Sequence, residues 1–252
     1  MKVKYGFKLN VYAWLTLASF VEVKGKILEG IFEKRLTRFS AMIRIDGKTV
    51  QCFLPNPGRL KELLTPGARV VLKKSGTLGG RKTFCDIIGV YRDGRIVSVD
   101  SRVPNKLVFE ALRNGDLPEF RGYPSIKPEH PYGKAKFDFL LSGGSGVKPC
   151  LLEVKSCTLV QEGVAMFPDA PTERGARHIL ELAKALDDGF RAAVLFVIQR
   201  DDAHLFKPND ETDPKFGKAL REASSRGVEV YAYTANFTRS RIWLGSRVKV
   251  VL

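Results

Sequence analysis

The chain has 252 residues, of which 44% are hydrophobic and 27% charged, enough apolar material for buried cores and a composition that excludes a globally disordered polymer. It carries 42 Lys and Arg against 27 Asp and Glu, a formal net charge of +15. That excess points to a polyanionic partner, because clustered basic side chains release counterions from nucleic acid; a basic protein without such a partner is the plainer alternative. The charge is uneven: residues 1–100 hold 19 basic and 8 acidic side chains, a net of +11, whereas residues 101–252 hold 23 and 19, a net of +4. A basic binding module followed by a nearly balanced module with another task is the organisation this suggests.

At the N-terminus Lys2, Lys4 and Lys8 precede an apolar stretch over residues 11–21. It mimics a secretion signal, but Glu22 follows with no small-x-small cleavage site, and the stretch is too short to span a bilayer. Residues 1–18 are expected to be an extension that packs as a strand or helix, with no membrane partner and the cytoplasm as compartment. Cys52, Cys85, Cys150 and Cys157 form no CxxC pair, and with 3 histidines in the chain they argue against a structural zinc site. Cys85 and Cys150 lie in apolar runs and read as buried free thiols.

Residues 19–100 read as short strands over 27–32, 39–45, 49–54, 69–74 and 83–91, rich in β-branched and aromatic side chains. Asp46-Gly47, Pro55-Asn56-Pro57-Gly58, Pro66-Gly67, Gly79-Gly80 and Asp93-Gly94 separate them as turns, and 59–64 reads as one helical turn. This fits a small barrel of the oligonucleotide-binding (OB) type, though by pattern alone another small barrel fits equally.

The pattern changes near residue 100. Residues 104–114 have Leu107, Val108, Ala111 and Leu112 at helical spacing, with Gly115 ending the helix. Strands are predicted over 125–129, 135–141 and 150–155. Thr172 is placed to cap a helix whose Ala176, Ile179, Leu180, Ala183 and Leu186 share a face. The apolar run 192–198 predicts a strand buried on both sides, followed by a helix over 214–225 and a strand over 228–233. The order is thus helix, three strands, helix, strand, helix, strand.

Asp138 lies in one predicted strand, and Glu153 and Lys155 share a face of the next, since strand side chains alternate. Antiparallel pairing through the Gly143-Gly144-Ser145-Gly146 loop would bring Asp138 beside Glu153. Two close carboxylates repel unless a cation sits between them, and Mg²⁺ or Mn²⁺ with oxygen ligands resolves this. Such an ion polarises a phosphodiester and acidifies an attacking water, while Lys155 orients that water or steadies developing charge. An Asp and a Glu-x-Lys in strands are also the makings of an ordinary surface ion pair. Glu110, at the edge of its helix's apolar stripe, is a candidate third ligand, with a solvated glutamate as the alternative. Arg174 and Arg177, beside a helix N-terminus that attracts phosphate, are candidate nucleic-acid contacts. So are Arg59, next to the proline-rich turn, and Gln199, at the C-terminal end of the buried strand. His178 alone reads as a structural or surface histidine before it reads as a catalyst.

Pro55-Asn56-Pro57-Gly58-Arg59, Asn105, Asp138-Phe139, Glu153-Val154-Lys155-Ser156, the run Phe167-Pro168-Asp169-Ala170-Pro171-Thr172-Glu173-Arg174-Gly175 and Gln199-Arg200 together resemble the sugar fermentation stimulation (SfsA) family, over roughly residues 25–252. The resemblance implies an OB-like domain (19–100) followed by a PD-(D/E)xK, restriction-endonuclease-like α/β domain (101–252). It implies DNA binding, a link to sugar (maltose) fermentation genes, and a nuclease activity on DNA or RNA, with Asp138, Glu153 and Lys155 matching the nuclease motif one by one. Two positions depart from the family pattern: Pro57 stands where the family usually has Thr, and Phe137 precedes Asp138 in place of the motif's proline. The expected function is a divalent-metal-dependent nuclease. The alternative is a non-catalytic DNA-binding regulator that keeps the nuclease fold; a structural protein whose basic face binds something else is a weaker third. The oligomeric state is open, a homodimer included.

Overall fold

The computed structural model describes residues 19–74 and 83–252. The expected N-terminal extension and the Gly79-Gly80 turn lie outside the described residues. A short strand, β1 (Phe20–Glu22), comes first, followed by β2 (Ile27–Thr37), β3 (Ser40–Ile45), β4 (Lys48–Phe53), β5 (Arg69–Lys74), β6 (Cys85–Arg92) and β7 (Arg95–Ser98). Strands β2 to β7 form one sheet in the order β4-β3-β2-β5-β6-β7, and a parallel pairing of Phe53 with Asp86 joins β4 to β6 and closes it into a barrel. Asp46-Gly47 and Asp93-Gly94 turn their hairpins with both residues at positive φ, the geometry that matches strand twist. Leu60, Leu63 and Leu64 sit on one helical turn, closed by the Leu64 N–H donating to the Leu60 carbonyl at 2.8 Å, and they plug the barrel together with Ile43, Leu54, Leu72 and Ile87. This is the OB-like architecture expected, with β7 as an added strand.

The remainder is an α/β domain. It comprises α1 (Val103–Asn114), β8 (Ser125–Tyr132), β9 (Ala135–Ser142), β10 (Cys150–Cys157), β11 (Val160–Gln161), β12 (Val164–Phe167), α2 (Glu173–Asp187), β13 (Arg191–Ile198), β14 (Leu205–Pro208), α3 (Pro214–Ser225), β15 (Glu229–Phe237), β16 (Arg241–Arg247) and β17 (Lys249–Val250). The main sheet runs β1-β16-β15-β13-β10-β9-β8, with β10, β13 and β15 parallel at its centre and antiparallel strands outside. Strand β13 is buried along 192–198, as its unbroken apolar run requires. Helix α1 covers one face, with Leu107, Val108 and Ala111 against Phe139, Leu152 and Leu195; α2 and α3 cover the other, with Ile179, Leu182 and Leu220 against Leu151, Val194 and Phe196. This is the restriction-endonuclease-like half.

Two expectations change. Phe20–Glu22, grouped with the barrel at 19–100, instead pairs with β16 and extends the α/β sheet; Ser19 anchors it, its Oγ donating to Asp116 Oδ2 at 2.5 Å. The buried stripe of α2 is rotated from the predicted one. Gly175, His178, Ile179, Leu182, Ala183 and Ala185 face inward while Leu180 stays exposed, because α2 packs against α3 as well as the sheet.

Candidate active site

The antiparallel ladder of β9 and β10 pairs Leu141 with Cys150, Leu140 with Leu151 and Phe139 with Leu152, and ends there. The next position in that register places Asp138 opposite Glu153. Instead of a ladder carbonyl, the Val154 N–H finds the Asp138 carboxylate, donating to Oδ2 at 2.7 Å. Asn105, in the first turn of α1, donates to Asp138 Oδ1 at 2.5 Å. The alternation of β10 sets Glu153 and Lys155 on one face, with Lys155 Nζ 2.5 Å from Glu153 Oε1. The three motif residues therefore gather where β9 parts from β10.

A buried carboxylate must be hydrogen-bonded or paired. Glu153 is 3% exposed, and its Oε1 takes both Lys155 and His178 Nδ1, the latter at 2.8 Å. Arg174 Nε donates to His178 Nε2 at 3.3 Å; that nitrogen is thus the acceptor, and Nδ1 carries the proton given to Glu153. The other oxygen, Glu153 Oε2, is buried with no hydrogen-bond partner among the described residues. Burial opposes ionisation of Glu153, but the His178 hydrogen bond and the Lys155 charge outweigh it and hold the carboxyl below its ordinary pKa. Asp138 goes the other way: burial, and next the charge of Glu153, push it up to about 6. An ionised carboxylate with a spare buried oxygen beside one that resists ionisation is the electrostatic complement of a small hard cation.

The site opens towards a cleft of about 220 Å³ between the domains, lined by Asn56 and Gly58 of the barrel, Lys155 and Ser156 of β10, and Pro168 and Thr172 before α2. Thr172 caps α2, its Oγ1 accepting from the Gly175 N–H at 3.0 Å. Asp169 reaches across, its Oδ2 accepting from the Leu60 N–H at 3.2 Å. Arg35 fixes the barrel's side of the cleft, donating to the carbonyls of Gly58 at 2.6 Å and Asn56 at 3.0 Å. Neither Asp169 nor Arg35 carried a role in the sequence reading. Asp169 lay within a distinctive run but without a partner in view, and an arginine inside a strand gives no signal.

The remaining candidates divide. Arg59, Arg174 and Arg177 are exposed, Arg174 against His178 and Arg177 on the outer side of α2. Glu110 ion-pairs with Arg113 at 3.8 Å, and no group of three or more His, Cys, Asp or Glu fit to hold a metal occurs among the described residues. Helix phase explains this: Glu110 lies five residues from Asn105, a rotation of about 140° away from the side that meets Asp138. Gln199 is also displaced from its expected role. It is 1% exposed, accepts from Ser98 Oγ at 2.8 Å and donates to Ser156 Oγ at 2.9 Å, so it joins the barrel to β10 instead of facing a ligand.

Residues 102–241 match the family model described as sugar fermentation stimulation protein RE domain, and residues 34–99 match the SfsA N-terminal OB domain. A sugar fermentation stimulation protein homolog of Caldanaerobacter subterraneus subsp. tengcongensis is 48% identical over 230 residues, covering 91% of this chain and 99% of the relative. One from Moorella thermoacetica is 44% identical, covering 92% and 100%. The solved structure of Pyrococcus furiosus SfsA in complex with Ca²⁺ superposes with a TM-score of 0.84 at 31% identity, covering 93% of this chain and 99% of that one. With both domain models matched in order and relatives aligned along nearly their whole length, the chain belongs to the sugar fermentation stimulation protein (SfsA) family.

Proposed function

We propose that the chain is a divalent-metal-dependent nuclease that hydrolyses phosphodiester bonds of DNA or RNA. The observation that carries this reading is the buried, unpartnered Glu153 Oε2 beside Asp138, with Lys155 on the same strand face and a cleft in front. Asp138 and Glu153 fit a cation of the Mg²⁺ or Mn²⁺ kind, which uses one or two carboxylates and keeps several waters. That cation would polarise the phosphodiester and acidify the attacking water. His178 holds Glu153 ionised and in place. Asn105 and the Val154 N–H fix the Asp138 carboxylate. The Lys155 ammonium, 15% exposed, favours hydroxide nearby and the negative charge that builds on phosphorus. Arg174 and the N-terminus of α2 would hold a neighbouring phosphate. The Ca²⁺ complex of the Pyrococcus furiosus relative supports a divalent ion as ligand of this fold, and the OB domain supports a nucleic-acid partner. No described helix is long and apolar enough to cross a membrane; the cytoplasm is the compartment we propose.

The second reading, a DNA-binding regulator without turnover, is favoured by one observation: Lys155 is tied to Glu153 at 2.5 Å, leaving its charge partly spent. Incubation with labelled single- and double-stranded DNA and RNA separates the two. The nuclease cleaves at least one of them with Mg²⁺ or Mn²⁺ and none in EDTA. Tight binding without cleavage under either metal establishes the regulator.

A further inference from the structure

The barrel carries a feature that phosphate binding does not require. Phe39 stands 44% exposed on the turn between β2 and β3, and its ring lies stacked near that of Phe53, with centroids 6.4 Å apart and planes 26° from parallel. Phe53 ends β4, where Cys52 points into the core and Gln51 and Phe53 alternate outward. Beside Gln51, whose carbonyl accepts from the Phe84 N–H at 3.1 Å, stands Phe84, 45% exposed. Leaving large apolar rings in water is unfavourable, and these come with cations: Lys74 Nζ lies 5.6 Å from the Phe84 ring centroid and the Arg102 guanidinium carbon 5.7 Å from that of Phe53. The row also has a direction. Arg102 precedes α1, whose Asn105 holds Asp138, and Arg38, next to Phe39, lines the cleft that contains Lys155. Aromatic faces interleaved with cations are the features that hold unpaired bases and their phosphates, whereas a duplex hides its base faces in the stack.

The geometry points to a base-stacking platform formed by Phe39, Phe53 and Phe84 that leads single-stranded nucleic acid into the cleft lined by Lys155, beside Asp138 and Glu153. This rests on the nucleic-acid reading above and adds the substrate class: a single strand, or the unpaired end of a duplex. Phosphates of the strand meet Lys74 and Arg38, while Arg102, held by Asp100 and Asp86, packs over the Phe53 ring, and the strand then passes the first turn of α1 to reach the carboxylates.

The test is equilibrium binding by the full chain in EDTA, with a single-stranded oligonucleotide of about 12 nucleotides, within the site sizes usual for such folds, and a duplex of equal length. Phe39→Ala with Phe84→Ala alters two exposed rings, and thermal melting checks that the variant folds. The single strand is expected to lose roughly 10-fold or more in affinity, the scale of losing stacked bases, with the salt slope and duplex affinity unchanged. Phe39→Trp retains stacking and should keep single-strand affinity, with the fluorescence of the introduced indole quenched on binding. Equal losses for both forms, no loss for either, or an introduced indole that stays unquenched in Phe39→Trp overturns the platform. Cleavage with Mg²⁺ is read separately: a platform that fails while metal-dependent cleavage persists sinks this inference alone, and stacking without cleavage sinks the nuclease alone.

Discussion

Asp138 is a residue whose cost is set by what its environment lacks. In metal-free protein its carboxyl, raised to about 6 from 3.8, contributes stability in the protonated form below about pH 4, and that contribution is lost as pH rises through about 6. Asp138→Asn removes the titration. In EDTA, the stability of the variant relative to the parent should rise by up to about 3 kcal/mol between about pH 4 and about pH 7, at 1.36 kcal/mol per pKa unit. Thermal or urea melts across that range check it, and a difference that stays flat with pH contradicts the assignment. His178 acts through Glu153, so His178→Ala should weaken Mg²⁺ affinity about 10- to 100-fold, the usual effect of losing a group that orients a ligand. A Mg²⁺ titration followed by melting temperature reads this, and an unchanged midpoint would place His178 outside the site. The motif carboxylates and Lys155 were legible because strand alternation and a short loop bring them together. His178 was not, because on the predicted helix face it lay beside the stripe, and only the packing of α2 on α3 turns it inward.

Among elements, sequence served best where one local rule decides. Gly115 at φ 71° ends α1, Thr172 caps α2, and the apolar run of β13 is a central strand. It failed where a strand exists only through its neighbours. In β16, Arg241, Gly245 and Arg247 break the apolar pattern, and β1 has three residues; each is ordered by pairing across the sheet. The Glu110 expectation turns on tertiary packing for a related reason: the apolar stripe of α1 was visible, but not which side of the helix meets β9. The cap of α2 offers a test at this scale. A Cβ at Gly175 would lie 2.7 Å from Thr172 Cγ2 and 2.8 Å from its Oγ1, so Gly175→Ala must push the capping hydroxyl aside. The expected cost is about 1 kcal/mol or more in urea denaturation, the scale of a lost N-cap. A neutral or stabilising result would mean that Thr172 does not hold the helix start.

Across the whole molecule, the two domains share a polar seam. Ser98, Gln199 and Ser156 link the barrel to the strand of Glu153 and Lys155, Asp169 holds the turn at Leu60, and Arg95 pairs with Asp201 at 2.8 Å. Charge made the basic half visible in sequence, but the seam draws on residues about a hundred positions apart and has no local signature. The net +11 of residues 1–100 should make nucleic-acid affinity fall on the order of 100-fold or more between about 50 and about 200 mM salt. A flat response in a binding titration would remove the electrostatic basis of the barrel's role. The central claim is turnover, and single-turnover cleavage of a labelled substrate by the parent and by Lys155→Ala, each saturated with Mg²⁺ or Mn²⁺, tests it most directly. Substrate binding should be unchanged and the rate roughly 100-fold or more lower in the variant, the scale of losing one preorganised charge; equal rates, or no cleavage by the parent with either metal, would rule out a nuclease that depends on Lys155.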